Sequence, residues 1–181
     1  MTRSDAADAV GAADAILETP SLKRRMASFT YEGLLLFGIG LIPGALGALL
    51  VSLTGNQHPL QSDAGLRVIT LLIYAVYFTW YWSIRGQTLP MQTWNIRVVT
   101  AKGQRLSGWR ALARFAASCA WFAPAALLAA ANGWTRWHGL LAMGIGVMAY
   151  ALLALAHPQR QFWHDALCGT RLISVLPDQK I

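Results

Sequence analysis

Residues 29–53 read Phe29-Thr-Tyr-Glu32-Gly-Leu-Leu-Leu-Phe37-Gly-Ile-Gly40-Leu-Ile-Pro43-Gly44-Ala-Leu-Gly47-Ala-Leu-Leu-Val-Ser-Leu53, an apolar run whose single charge is Glu32. About 20 helical residues cross the ~30 Å of hydrocarbon in a bilayer. No water is available there to satisfy backbone N–H and C=O groups, so a run of this kind must be a helix. Lys23-Arg24-Arg25 precedes it. The apolar stretch is too long for the h-region of a cleaved signal peptide, and it reads as a retained first span.

Three more runs follow at Leu66–Ile84, Ala111–Ala131 and His138–Ala156. Together they predict an all-α membrane protein with four transmembrane helices, at about 29–53, 66–84, 111–131 and 138–156. The composition agrees. Of 181 residues 55% are apolar and only 13% charged, against ~25% charged in soluble domains. Between residues 19 and 177 the carboxylates are Glu32, Asp63 and Asp165. That is too few to cover the surface of a soluble domain, so an ordinary soluble enzyme, a disordered chain and a disulfide scaffold are all excluded.

The net charge of +7 reads as topology, with no nucleic-acid partner implied. The segment before the first run, the 85–114 region and the C-terminal tail hold thirteen Lys and Arg. The remaining two, Arg67 and Arg136, lie on the other side. This bias predicts a multi-pass protein of the bacterial inner membrane with both termini and the 85–110 loop cytoplasmic. Residues 1–21 read as a disordered tail, 22–176 as the membrane domain and 177–181 as a second tail.

The stretch Trp94–Thr100 alternates like a strand, Ala101-Lys-Gly-Gln104 signals a turn, and Arg105-Leu-Ser107 can return. Thr170–Val175 is another strand candidate. A small cytoplasmic β-hairpin cap on the helix ends is therefore expected.

Ionisable residues within a span are costly and mark functional positions by default. Glu32 lies two helical turns after Arg25 on the same face. The axial separation is ~10 Å, so the two would need a partner between them. Asp165, His164, Arg110 and Arg114 sit at the same level. Structural ion pairing competes with ion or proton handling as the role of Glu32. The aromatic cluster 77–82 and the scattered Trp residues read as membrane-interface belts. Gly40-x-x-x-Gly44 with Gly47, and the small residues 139–146, read as close helix packing. No metal-ligand spacing, cofactor motif or catalytic motif is present, so enzymatic chemistry is not expected.

Three stretches carry a family resemblance. They are Arg25-Met-Ala-Ser-Phe-Thr-Tyr-Glu32; then Gly86-Gln87-Thr88-Leu89 with Asn95-Ile-Arg-Val-Val99; and His164-Asp165-Ala-Leu-Cys-Gly169-Thr170. The pattern resembles the RDD family of bacterial integral membrane proteins, named for one Arg and two Asp. Glu32 stands where the family usually has Asp, Pro90-Met91 replaces the usual Gly-Lys, and Ala166 stands where a basic residue is common. The resemblance implies a site of Arg25, Glu32 and Asp165, with His164, Arg110, Arg114, Gly86, Gln87, Thr88, Gly169 and Thr170 in support. Most of the family has no assigned activity, and some members are linked to cation/proton exchange. The expectation is therefore exchange of Na⁺, K⁺ or Li⁺ for protons through an intramembrane carboxylate, with a homodimer supplying a second copy. The alternative is a non-transporting interaction or assembly protein that binds a protein partner or anionic lipid through its basic face.

Overall fold

The computed structural model describes residues 18–55 and 62–175. The two predicted tails and the 54–65 loop therefore lie largely outside the described residues.

Helix α1 runs Leu22–Thr54. It starts seven residues before the predicted boundary. Ser21 caps it by accepting from the Arg24 N–H, and the basic turn that follows is helical although it is polar. Helix α2 is Asp63–Ile84, capped by Ser62. A single turn, α3 (Leu89–Thr93), follows. Thr88 is its N-cap and Pro90 stands in its first turn, where a missing N–H costs nothing. Strand β1 is Ile96–Thr100.

The third span is not continuous. Helix α4 (Gly108–Ala120, capped by Ser107) breaks at Trp121-Phe122, and α5 resumes at Ala123–Ala131. Pro124 is the cause. It has no N–H to give the carbonyl of Ala120, and its ring crowds that carbonyl. Helix α6 (Arg136–Leu153) tightens into a 3₁₀ turn at Ala154–Ala156. The short α7 (Trp163–Leu167) and strand β2 (Thr170–Ser174) complete the described chain.

The expected hairpin is absent. β1 pairs antiparallel with β2, from Ile96 opposite Ser174 to Thr100 opposite Thr170. The 101–104 turn closes through Thr100 N–H to Gln104 O at 2.8 Å and leads into no returning strand. Arg105–Ser107 does not return as a strand, because Ser107 is needed as the cap of α4. Gly86 makes the sheet's approach to α2 feasible. Its φ is +68°, and a Cβ there would lie 2.9 Å from the Val98 carbonyl.

Four helical segments are long and apolar enough to cross a membrane: Leu22–Leu53, Ala64–Ile84, Gly108–Ala129 and Trp137–Ala156. Large apolar side chains such as Leu34, Phe37, Val76 and Leu127 stand exposed along them. The well-packed core lies at one end. Trp82, Met91, Ile96, Val98, Leu106, Phe115 and Leu172 are buried together under the sheet. Gly40 and Gly47 bring α1 against Tyr74 and Leu66 of α2. Both described ends of the chain meet at the sheet. Ser174 N–H donates to Glu18 O at 2.8 Å, and the Arg24 guanidinium donates to Trp94 O and Ser174 Oγ.

Candidate functional site

Beneath the sheet a charged cluster draws on α1, α2, α4, α6, α7 and the α3 cap. Asp165 is fully buried. Its Oδ1 accepts from Arg114 Nε at 2.6 Å and from Thr170 Oγ1 at 2.9 Å. The Arg114 guanidinium also lies 4.1 Å from the centre of the Trp82 ring, a cation–π contact. Burial alone would raise the Asp165 carboxyl. The Arg114 charge and the bonds from Arg114 and Thr170 hold it below its ordinary value.

His164 is buried beside Asp165, with Nε2 3.7 Å from Oδ2. Tyr150 OH accepts from the His164 backbone N–H at 3.1 Å. The same hydroxyl shares a hydrogen bond with His164 Nδ1, 2.5 Å away. Burial pushes the imidazole down to about 4, so it is neutral near pH 7.

Glu32 is 8% exposed. Its Oε1 accepts from Tyr77 OH at 2.8 Å and its Oε2 from Thr88 Oγ1 at 2.5 Å. Thr88 therefore holds Glu32 and caps α3 at once. Arg114 acts on Glu32 through its field. Arg25 is 3% exposed. It lies over the Phe162 ring at 4.7 Å and is attracted by Asp165. Arg25, Glu32, Arg114 and His164 all border a cavity of about 470 Å³.

The structure thus gathers Arg25, Glu32, Arg114, His164, Asp165, Thr88 and Thr170. Gly86, Gln87 and Gly169 shape the backbone around them. Gln87 Nε2 donates to Ile96 O at 2.7 Å, and Gly169 O accepts from Ala101 N–H at 2.9 Å. Arg110 is exposed and stands outside the cluster. The aromatic belt reading fails in part. Trp82 is core, and Tyr77 is a Glu32 ligand. Tyr74, Tyr77 and Tyr81 fall on one helical face, a spacing that marks a hydroxyl-bearing side toward α1. Tyr150 had no comparable signal.

Four helices this long and apolar fit a membrane protein. The RDD family model matches residues 19–169. The chain belongs to the RDD family. No curated protein matches it.

Proposed function

We propose that this chain exchanges a monovalent cation for protons across a bacterial inner membrane, with both termini and the sheet on the cytoplasmic side. The observation supporting this is the setting of Glu32, as opposed to that of Asp165. Asp165 is tied to an arginine and holds α4 against α7. Glu32 takes its hydrogen bonds from two neutral hydroxyls and borders the cavity. A carboxylate held this way can carry either a proton or a cation. The hydroxyl oxygens of Tyr77 and Thr88 can turn lone pairs toward the ion. Na⁺, K⁺ and Li⁺ are the candidate ions, and a homodimer would place two such carboxylates in one particle.

A second reading has its own support. Arg85, Lys102, Arg105 and Arg110 are exposed, and the basic 85–110 segment suits anionic lipid or an acidic protein surface. In that reading the protein transports nothing, and the buried cluster only holds the helices.

Purified protein in liposomes with a trapped pH dye separates the two. Cation-triggered proton movement that is lost in a folded Glu32→Gln variant supports exchange. No movement in the folded parent overturns it. An active periplasmic reporter fused to the C-terminus would overturn the orientation.

A further inference from the structure

Arg25 is a buried cation with donors to spare. Among the described residues, neither its Nε nor its Nη1 has a hydrogen-bond partner. The nearby Asp165 does not serve it: Oδ1 is taken by Arg114 and Thr170, and Oδ2, 3.7 Å from His164 Nε2, makes no hydrogen bond to Arg25. Desolvating a guanidinium without satisfying its N–H groups is costly, so the site calls for an acceptor. The cavity beside Arg25 is otherwise walled mainly by apolar side chains, among them Leu36, Phe122, Met143 and Val147. A small hydrophilic anion would satisfy Arg25 and leave those walls empty.

The dimensions suit a longer molecule. From Arg25 to Leu36 the α1 wall spans eleven residues, ~16 Å of helix. That is about half of the ~30 Å hydrocarbon thickness, the depth of one leaflet. Arg25 stands one turn from the start of α1, at the level where a phospholipid phosphate lies when its chains fill that leaflet. A volume of about 470 Å³ is in the range of small-molecule sites.

We propose that this cavity binds an anionic phospholipid, its phosphate accepting from the Arg25 guanidinium and one acyl chain lying along Gly33, Leu36 and Val147. This goes beyond cation/proton exchange and does not depend on it. The phosphate gains charge-assisted bonds from Nε and Nη1, which have no partner among the described residues. The apolar walls gain a chain in place of empty space. Glu32 borders the same cavity and repels the headgroup, so neutralising it should strengthen binding.

Native mass spectrometry of the full chain in detergent, titrated with phosphatidylglycerol or phosphatidylcholine, tests this. One phosphatidylglycerol should bind per chain, at least tenfold tighter than phosphatidylcholine. Arg25→Gln should abolish that preference, and Glu32→Gln should preserve or increase it. Gly33→Leu keeps Arg25 and fills the cavity. A Cβ at Gly33 meets no atom within 4 Å, so the side chain has open space to enter, and the variant should weaken both lipids tenfold. It decides the matter if Arg25→Gln does not fold. Parent-like binding of phosphatidylglycerol by folded Gly33→Leu would overturn the proposal. Tighter binding of oleate than of phosphatidylglycerol would overturn the choice of a phospholipid.

Discussion

Arg114 Nε and Asp165 Oδ1 meet at 2.6 Å across 51 residues of chain, with both side chains almost wholly buried. The contact fastens α4 to α7 and, through Thr170, to the start of β2. Removing one partner of such a pair strands a charge and costs about 3–5 kcal/mol. Asp165→Asn should therefore destabilise the detergent-solubilised protein strongly. Combining it with Arg114→Met should recover part of the loss. A double-mutant cycle on thermal unfolding reads the coupling, and additive losses would contradict the pairing.

His164 sets a pH window. Its folded value is about 4 against an ordinary 6.5. The unfolded chain binds the proton first, so stability is full above pH 6.5 and falls as pH drops toward 4. At 1.36 kcal/mol per unit the loss is roughly 3 kcal/mol. Asp165, also depressed, gives way only at lower pH. Unfolding midpoints at pH 7 and pH 4.5 should differ less in His164→Gln than in the parent. An equal difference in the two would sink this assignment.

Thr88 and Tyr77 both serve Glu32, but Thr88 also caps α3. Thr88→Ala should cost more than Tyr77→Phe, each in the range of about 1–3 kcal/mol for a buried acceptor left short of a donor. Thr88→Ser should restore most of the loss. Chemical denaturation of the three variants orders them, and the reverse order would remove Thr88 from its double role.

Gly86 sits at φ +68°, with the Val98 carbonyl where a Cβ would go. Neither the dihedral nor the strand can yield cheaply. Gly86→Ala should cost about 1–3 kcal/mol and loosen the sheet. Faster proteolysis within 96–107, relative to the parent, is the expected sign. An unchanged cleavage rate would show that the turn tolerates a side chain.

The four apolar runs could be read because lipid-facing helices must be apolar along most of their length. Their ends could not, because hydropathy follows burial in hydrocarbon and α1 extends through a basic turn that Ser21 caps. Pro124 carried the signal for the break in the third span, and an apolar run alone hid it. Both strands were visible by alternation. Their pairing was not, since nothing local encodes closure between Thr100 and Thr170. Rarity of carboxylates exposed Glu32 and Asp165, and the seven-residue spacing to Glu32 with the family pattern exposed Arg25. Tyr77, Tyr150 and Trp82 were hidden because aromatics in such helices suggest an interface belt before they suggest hydrogen bonding to a carboxylate or support for a guanidinium.

The pairing of β1 with β2 also sets an order of assembly. Thr100 leaves the ribosome 70 residues ahead of its partner Thr170, about 4–14 s at ~5–20 residues per second. Through that interval β1 has an open edge and Asp165 has yet to reach Arg114. The sheet therefore works as a closing seal, one that can form only after α4, α5 and α6 have all been made. A nascent chain stalled before Thr170 would present Arg114 and the β1 edge bare to whatever inserts or degrades it.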